Sequence, residues 1–326
     1  MYITDNNSDN AYFNIASEEY FLRNKNEDFF MLYINPPSII IGKNQNTLAE
    51  INAEYVNKNS IAVVRRLSGG GAVYHCHGNL NFSFIITDKE ESFMDFEKFT
   101  RPIVSVLGSM GVSAQLSGRN DILIDDKKIS GNAQFKSRGR MIHHGTLLFS
   151  SDLSKLKKSL KANPLKFKDK ATKSVKSRVA NICDYLENPI DIHEFKKLVI
   201  SGILETNKDC EIYALTEADK KSIERLVEEK YSTWEWNYGY SPKYNFSSEE
   251  KFSCGLIQSY LFIEDGLIKS IKFYGDFFGK HDISELESRL TGIKHDRKNI
   301  EEILSETDPG NYFAGIIPEE LLKLLL

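Results

Sequence analysis

The most distinctive chemistry-bearing stretch of the sequence is a pair of arginines followed by a serine and three glycines. Residues 65–71 read Arg-Arg-Leu-Ser-Gly-Gly-Gly, after a β-branched run, and a second strand-like run occupies residues 80–86. This pattern predicts a strand, a loop and a second strand. Because glycine lacks a Cβ, its backbone N–H groups can turn toward a ligand and approach it closely, so the loop suits an anion or a thin substrate.

The glycine loop does not follow the two common phosphate-binding patterns. No Gly-Lys-Ser/Thr follows the glycines, and Tyr74 stands where the last glycine of a dinucleotide fingerprint belongs. A tight hairpin with flexible glycines explains the same residues, and the loop by itself does not decide between a hairpin and a binding loop.

A second group of polar residues lies on short strand-like pieces. Residues 122–124 and the stretch after Lys128 predict two strands joined by a turn at residues 125–126, with Lys128 followed by Ile129 and Gly131. A lysine in that position has its ammonium fixed by the sheet. The commoner fate of such a lysine is exposure on a hairpin. The polar members of the group are Asn120, Asp121, Lys128, Ser130 and Asn132.

A basic segment follows at residues 155–178. It holds nine lysines and one arginine against a single acid, Asp169, and its apolar periodicity is weak. The segment is typical either of a solvated loop or of a mobile basic flap that meets a nucleotide phosphate or an acidic protein partner.

The elements that must position these residues can be read from periodicity. Helical spacing predicts an amphipathic helix at residues 11–22 and a second helix at 93–110 that ends at Gly111. Two apolar runs, 29–34 and 39–41, predict adjacent strands around the turn Asn35-Pro36-Pro37. A strand at residues 141–149, which carries His143 and His144, is expected to close a small antiparallel set.

Two further helices are expected before a smaller C-terminal unit, at residues 192–204 and, after a capping Thr216, at 218–230. The polar segment 245–251 is a candidate linker. Beyond it we expect a hairpin of strands 256–263 and 267–274, and helices at 283–290, 299–304 and 318–326.

Composition excludes several classes of protein. The chain has 326 residues and a net charge of −4, so it has no global nucleic-acid footprint. No signal peptide and no apolar run long enough to span a membrane is apparent, which predicts a cytoplasmic protein without a membrane partner. The scattered positions of the four cysteines argue against a structural zinc site and a disulfide framework, and predict reduced thiols.

Several ordered motifs together resemble the lipoate–protein ligase family. They cover nearly the whole chain and lie at residues 37–46, 65–75, 78–83, 118–121, 127–133, 143–146, 172–181 and 234–239. The resemblance implies an α/β fold of the α+β type. Its biotin/lipoate ligase-like catalytic domain, residues 1–245, would hold a mixed, largely antiparallel sheet with packed helices, and a small C-terminal α/β accessory domain would occupy residues 252–326.

The implied reaction has two steps. Lipoate attacks the α-phosphorus of ATP to give lipoyl-AMP and pyrophosphate, and a lysine amine of a lipoyl acceptor domain then attacks this anhydride. The implied cofactors are ATP and Mg²⁺. The implied acceptors are a glycine-cleavage H-type carrier or the E2 subunits of 2-oxoacid dehydrogenases, and the accessory domain suggests a monomer.

The resemblance also assigns roles to individual residues. Lys128 matches the catalytic lysine of the family, and Asp121 is the candidate for Mg²⁺ or the substrate amine. The basic segment 161–178 corresponds to the mobile adenylate-binding loop of the family. ATP and the adenylate are assigned to Arg66, Gly71, Ala72, Val73, Tyr74, Asn79, Asp121, Lys128 and Arg178. Lipoate is assigned to Arg66, Ser68, Gly69, Gly70, Gly71, Lys128 and His144.

One departure from the family pattern leaves alternatives open. Family members commonly carry an aspartate after the histidine of the glycine loop, whereas this chain has Cys76. Cys76 is either a neutral replacement at a solvent-facing turn or the nucleophile of an ATP-independent lipoyl or octanoyl transferase. A third alternative is a non-catalytic protein that binds lipoyl domains.

Overall fold

The computed structural model describes residues 1–6, 8–88, 92–118, 120–160, 179–206, 209–238 and 245–326. The strands are β1 (Tyr2–Asn6), β2 (Phe29–Ile34), β3 (Ser38–Ile41), β4 (Ala62–Arg65), β5 (Val73–His75), β6 (Asn79–Thr87), β7 (Gln115–Ser117), β8 (Asp121–Ile124), β9 (Lys127–Ser137), β10 (Arg140–Leu148), β11 (Glu211–Ile212), β12 (Phe246–Phe252), β13 (Gly255–Glu264) and β14 (Leu267–Gly275).

The α-helices are α1 (Ala11–Asn24), α2 (Thr47–Glu50), α3 (Ala53–Lys58), α4 (Phe96–Ser109), α5 (Leu153–Ser159), α6 (Ile192–Thr206), α7 (Glu217–Leu226), α8 (Trp234–Asn237), α9 (Ile283–Leu290), α10 (Arg297–Thr307) and α11 (Pro318–Leu325). A π-helical turn, Val227–Tyr231, continues α7. Within the described ranges, none of these helices has the length and hydropathy that crossing a membrane requires.

An eight-stranded sheet forms the centre of the molecule. Its order is β11-β1-β2-β6-β10-β9-β8-β7, with parallel pairing among β11, β1 and β2 and antiparallel pairing in the rest. The predicted mixed, largely antiparallel sheet is therefore confirmed. The strand predicted at residues 141–149 is one of eight, because the sheet extends well beyond the small set that local sequence indicated.

Both faces of this sheet are covered, which explains the continuous apolar run of β2. Alternate residues of a strand point to opposite faces. Phe30 and Leu32 pack into a core that includes residues of α4 and α6. Phe29 and Met31 pack on the other face, in a core that includes α1.

Helix α1 has the predicted position, but the prediction that it is amphipathic is wrong. Asn10 caps the helix by accepting hydrogen bonds from the backbone N–H groups of residues 12 and 13. Every residue from Asn14 to Leu22 is buried, including Glu18 and Glu19. The reason is tertiary: α7 and the π-helical turn pack on the side of α1 that local spacing assigned to solvent.

A separate three-stranded sheet carries the glycine loop. Its order is β4-β3-β5, and β3 pairs parallel with β4 and antiparallel with β5. The predicted pairing of residues 29–34 with 39–41 is therefore wrong, because β2 and β3 belong to different sheets. Pro36 and Pro37 offer no N–H for a ladder, so the chain leaves one sheet for the other at this point. The loop at residues 66–72 crosses from β4 to β5 over the end of β3.

The C-terminal residues form a third sheet with its own core. The order is β12-β13-β14, and α9, α10 and α11 supply apolar side chains to that core. The predicted hairpin is confirmed, with Asp265 and Gly266 at positive φ in its turn. The segment predicted as a linker is strand β12, paired with β13 along its length. Its charged residues misled the prediction, because an edge strand tolerates them on its open face.

The C-terminal unit contacts the glycine loop and the segment before it. The Lys43 ammonium and the Asp282 carboxylate lie 2.7 Å apart, and the Gly275 N–H donates to the Asn44 carbonyl over 2.7 Å. A Cβ placed on Gly69 would lie 2.3 Å from the carbonyl oxygen of Phe277. The division of the chain into two domains nevertheless stays a prediction.

Candidate active site

A cavity opens between the glycine loop, α1 and the central strands of the large sheet. Its volume is about 130 Å³. It combines an apolar wall with amide, imidazole, guanidinium and ammonium groups, which suits a ligand with an aliphatic part and an anionic part. The lining residues are Ile15, Tyr33, Ile40, Arg66, Gly70, Gly71, Ala72, Val73, His75, Asn81, Asn120, Lys128, Gly131, Asn132, Ala133, His144, Gly145 and Thr146.

A β-bulge positions Lys128 beside Asp121. Residues directly opposite each other on paired strands share a face, as do residues two apart on one strand. Asp121 pairs with Gly131, and the register shift then pairs Leu123 with Lys128. The bulge therefore places Lys128 on the face that Asp121 and Gly131 share. The Lys128 Nζ lies 2.7 Å from Asp121 Oδ1.

The predicted turn at residues 125–126 stabilises this arrangement. Asp125 and Asp126 have φ values of +48° and +60°, which is the left-handed pair that a two-residue hairpin turn requires. The predicted hairpin is therefore confirmed.

Gly131 makes room for the ammonium of Lys128. A Cβ on Gly131 would lie 2.9 Å from Lys128 Nζ and 3.0 Å from Lys128 Cε. Two more hydrogen bonds hold this part of the cavity: Asn120 Nδ2 donates to the Asn132 carbonyl, and Asn132 Nδ2 donates to the Asn120 carbonyl. The ammonium thus lies over a glycine on a strand and next to a carboxylate, in a lining that also holds the amides of Asn120 and Asn132.

We expect Gly131→Ala to keep the fold and to displace the Lys128 ammonium. The added methyl group meets only the flexible end of a lysine, so the free energy of unfolding should change little. A displacement of a reacting group by about 1 Å can cost on the order of 100-fold in rate. The pyrophosphate release that the resemblance implies measures the rate, and urea unfolding measures the stability. Gly108→Ala, in α4 with no atom within 4 Å of the added Cβ, is the matched control and should keep full activity. Equal activity of the two variants would contradict this role of Gly131.

Arg66 holds the glycine loop in place from beneath. Its guanidinium donates to the carbonyl oxygens of Gly69 over 2.6 Å, Gly71 over 2.9 Å and Ile40 over 3.1 Å. Its Nε donates to Ser68 Oγ over 2.9 Å. With these carbonyls turned toward Arg66, the loop conformation is set by one buried side chain. Burial lowers the pKa of Arg66 to about 10, so the guanidinium stays charged at neutral pH.

The loop also fits closely against its neighbours. Gly70 has a φ of +87°, and a Cβ on Gly42 would lie 2.0 Å from the Gly70 carbonyl oxygen. Glycine is therefore required at both positions, at Gly70 by backbone conformation and at Gly42 by the close approach of two backbones.

His75 presents an unpartnered nitrogen at the cavity. Its Nδ1 accepts a hydrogen bond from Asn35 Nδ2 over 3.0 Å, so the ring proton is on Nε2. Among the described residues, neither His75 Nε2 nor the Asn132 Oδ1 atom has a hydrogen-bond partner. Both residues line the cavity and are suited to contact a ligand. Burial, together with the charge of Arg66, lowers the pKa of His75 to about 3.

The pKa of His75 predicts a loss of stability in acid. The pKa in the folded protein, about 3, lies below the unfolded value of 6.5. As the pH falls, the unfolded chain therefore binds the proton before the folded protein does. The stability that the neutral His75 ring contributes is complete above about pH 6.5 and is lost as the pH falls toward 3. In His75→Asn, the slope of the free energy of unfolding against pH should decrease by up to about 1.4 kcal/mol per pH unit. Urea titrations between pH 4 and 7 measure it. An unchanged slope in His75→Asn would contradict the prediction.

The structure brings most of the predicted site residues together. Arg66, Gly70, Gly71, Ala72, Val73, Lys128 and His144 line the cavity, and Asp121 joins them through its ion pair. Ser68 and Gly69 belong to the glycine loop and are buried, and they are not among the lining residues.

Three further predicted residues are not placed at the cavity. Tyr74 packs in an apolar cluster beside the three-stranded sheet, and Asn79 is fully buried, with its Nδ2 donating to Asn81 Oδ1. Arg178, with the basic segment 161–178, lies outside the described residues. The next residue, Val179, forms a bridge with Lys128, and the Ala180 N–H donates to the Lys128 carbonyl. The described chain therefore resumes beside Lys128.

Cys76 is buried, so the predicted solvent-facing turn is wrong. Its thiol packs in the same cluster as Tyr74, with Ile39 and Val63, because the chain enters this sheet again at β5. Cys76 does not belong to the lining of the cavity. This position argues against the nucleophile of a transferase, which must reach the acyl group.

Sequence reasoning missed three polar residues near the cavity. Tyr33 and Asn81 line it, and Glu18 contacts the lining residue His144. The available signals were weak: a glutamate within an apolar helix, and a tyrosine and an asparagine within apolar strands. Each has a commoner explanation in a solvated or packed side chain.

Two family models match the chain. The lipoyl protein ligase A/B catalytic domain matches residues 10–204, and the bacterial lipoate protein ligase C-terminus matches residues 241–325. A curated relative, lipoate–protein ligase 1 of Staphylococcus aureus, is 50% identical over 326 residues, which cover 99% of both chains. The lipoate-protein ligase LplJ of Bacillus subtilis is 44% identical over 329 residues, 100% of this chain and 99% of that one.

Solved structures share the fold. LipL1 of P. falciparum, in complex with lipoate, has a TM-score of 0.81 and 24% identity, covering 98% of this chain and 96% of that chain. A bipartite ligase of Thermoplasma acidophilum, described with its E2 lipoyl domain, has a TM-score of 0.66 and 32% identity, covering 74% and 97%. A lipoate-protein ligase A bound with ATP has a TM-score of 0.64 and 29% identity, covering 73% and 98%.

Proposed function

Because the chain belongs to the lipoyl protein ligase A/B family and is an ATP-dependent lipoate–protein ligase, we propose that its chemistry takes place in the cavity beside Lys128. The observation that carries this proposal is the position of the Lys128 ammonium, over Gly131 and against Asp121. A fixed cation in a lined cavity is what the activation of a carboxylate by a triphosphate needs.

In the first step, a carboxylate oxygen of lipoate attacks the α-phosphorus of ATP. A phosphorus–oxygen bond forms, the bond to the β-phosphate oxygen breaks, and pyrophosphate leaves with the bonding electrons. Negative charge moves from the carboxylate to the phosphates during this step. The Lys128 ammonium stabilises negative charge on both the carboxylate and the phosphates, because it donates hydrogen bonds to either group without reorganising.

The apolar wall and the glycine loop would contact different parts of the substrate. Ile15, Ile40 and Val73 would pack against the aliphatic part of lipoate. The backbone of Gly70 and Gly71 would face the adenylate, in a loop whose Gly69 and Gly71 carbonyls already accept from Arg66. The predicted contacts of Tyr74, Asn79 and Arg178 stay predictions.

In the second step, the ε-amine of an acceptor lysine attacks the carbonyl carbon of lipoyl-AMP. The carbon–nitrogen bond forms, the carbon–oxygen bond to AMP breaks, and the nitrogen loses a proton. Asp121 lies beside Lys128 and is the carboxylate we propose for orienting the incoming amine.

Asp121 is also the residue that would hold Mg²⁺ in the first step. Magnesium is usually bound through one or two carboxylates together with substrate phosphates. Within the part of the chain that the structure describes, no group of three or more His, Cys, Asp or Glu side chains is arranged for a metal. A single carboxylate beside a triphosphate fits that way of binding, and the ion would neutralise charge on the phosphates.

We propose lipoyl domains of E2 subunits and the glycine-cleavage H-type carrier as acceptors, and a cytoplasmic, monomeric enzyme. The T. acidophilum ligase is described together with its E2 lipoyl domain, which supports E2 lipoyl domains as acceptors. The use of ATP and the four free thiols support the location. Lipoylation of the two purified acceptors, followed by mass spectrometry, compares them, and sedimentation measures the oligomeric state.

The experiment that tests the proposed function is pyrophosphate release from ATP and Mg²⁺ with lipoate, with and without an acceptor domain. We expect release without acceptor, since activation precedes transfer. Lipoate-independent release, or acyl exchange between carriers without ATP, would overturn the proposal.

A further inference from the structure

A line of buried hydrogen bonds joins the first helix to the glycine loop. Glu18 Oε2 and His144 Nδ1 lie 2.7 Å apart, and His144 Nε2 lies 2.6 Å from Ser68 Oγ. Ser68 Oγ in turn accepts from Arg66 Nε over 2.9 Å. Tyr33 donates its hydroxyl to the other carboxylate oxygen of Glu18 over 3.1 Å. We call these five residues the Glu18 relay.

The directions of the hydrogen bonds follow from what each group can donate. A guanidinium only donates, so Ser68 Oγ accepts from Arg66. Ser68 is fully buried, and its own proton therefore needs an acceptor, which His144 Nε2 provides. His144 then carries its proton on Nδ1 and donates it to Glu18. The carboxylate of Glu18 accepts from both His144 and Tyr33, so all members are satisfied in this order.

The order serine, histidine, glutamate is that of a hydrolase triad, but here it does not activate a nucleophile. Ser68 is 0% exposed, and its oxygen is already engaged by Arg66. No acyl group can approach it. The relay instead ends on the guanidinium that holds the carbonyls of Gly69 and Gly71.

Glu18 also balances charge. Glu18 is 2% exposed and Arg66 is 6% exposed. Besides Ser68, the hydrogen-bond partners of Arg66 are neutral carbonyls. A buried guanidinium without a nearby anion is unfavourable. The Glu18 carboxylate supplies that anion. The His144 ring lies between Glu18 and Ser68, which contacts Arg66.

We propose that Glu18 is a positioning residue for lipoate activation. Through His144 and Ser68 it fixes the orientation of Arg66, and Arg66 fixes the loop that faces the adenylate. This inference rests on the proposed function, because only an adenylate held by this loop makes the orientation of Arg66 matter for the rate.

The variant Glu18→Gln tests the relay, with Glu19→Gln as its matched control. Glutamine keeps the size of the side chain and removes the charge. Glu19 is 4% exposed on the same helix, and its partners are Lys230, Tyr231 and Arg23. Within the described part of the chain, none of these three hydrogen-bonds to residues 66–72. Both variants should lose stability in urea. Only Glu18→Gln should lose kcat/KM for pyrophosphate release, on the order of 100-fold, because a small shift of the loop misplaces the reacting groups. Equal kinetic effects in the two variants would overturn the proposal.

A measurement on the unaltered protein covers the case in which Glu18→Gln does not fold. Nitrogen NMR of the ¹⁵N-labelled full chain, with backbone assignment, should show His144 protonated at Nδ1 and not at Nε2. Protonation at Nε2 would overturn the relay. If the wild-type protein released no pyrophosphate with lipoate, the proposed function would fail, and the NMR result would still decide the direction of the relay.

Discussion

Replacing Lys128 by methionine is expected to reduce lipoate-dependent pyrophosphate release by on the order of 10²- to 10³-fold. Methionine keeps an unbranched chain of similar length and removes the only charge of the side chain. The ammonium lies 2.7 Å from Asp121 and lines the cavity. The other cation of the described lining, Arg66, already donates to the loop carbonyls, so it does not replace Lys128 when charge moves onto the phosphates.

The stability of Lys128→Met should stay close to that of the wild type. The Lys128 side chain is 36% exposed, and partly exposed ion pairs typically contribute less than about 1 kcal/mol. Urea unfolding of the variant therefore separates a loss of chemistry from a loss of fold.

Lys127→Met is the matched control. The two lysines are adjacent on β9, so their side chains point to opposite faces of the sheet. Lys127 is exposed, and its Nζ lies 3.4 Å from the hydroxyl of Tyr185. This variant should keep the wild-type rate. Normal pyrophosphate release by Lys128→Met would remove Lys128 from the proposed mechanism.

The second large effect is expected for Arg66→Met, in both stability and activity. The guanidinium donates to three backbone carbonyls and to Ser68, and methionine donates to none of them. The substitution also leaves Glu18 buried without its countercharge. Removing one member of a buried charged pair typically costs about 3–5 kcal/mol. Pyrophosphate release should be lost beyond what the unfolded fraction explains, since the glycine loop loses the group that holds it.

Arg140→Met is the control for Arg66→Met. Arg140 is half-buried on β10 and donates to the carbonyls of Phe21 and Glu27, outside the lining of the cavity. It should lose some stability and keep kcat/KM. Arg66→Lys is informative as well, because it retains the charge without the fork of donors. If Arg66→Met matched Arg140→Met in kcat/KM, the loop would not depend on the guanidinium.

Much of this molecule follows from local rules that the sequence carries. Thr216 begins α7 with a capping box that includes Asp219, and Asp125-Asp126 and Asp265-Gly266 form the turns of two hairpins. Each feature depends on residues within a few positions of each other, so its free energy is decided locally. Lys128 could be singled out for the same reason: it follows a recognisable turn and precedes a glycine on the same strand.

Other features depend on contacts between distant segments. Local spacing does not reveal that β2 and β3 join different sheets, because the partners of β3 are β4 and β5. The register shift that turns Lys128 toward Asp121 is likewise a property of the paired strands and not of either one. Cys76 is buried in a cluster with residues distant in the chain, such as Ile39 and Val56, which no short window around it contains.

The Glu18 relay is the clearest example of a feature that depends on contacts between distant segments. Glu18 and His144 are separated by 126 positions in the chain, and Ser68 and His144 by 76. The sequence by itself determined the glycine loop, the lysine hairpin and the family of the enzyme, because those are ordered local patterns. Only the tertiary structure decided which buried acid faces the loop. A buried charge is tolerated where packing brings a partner to it, and that partner can come from anywhere in the chain.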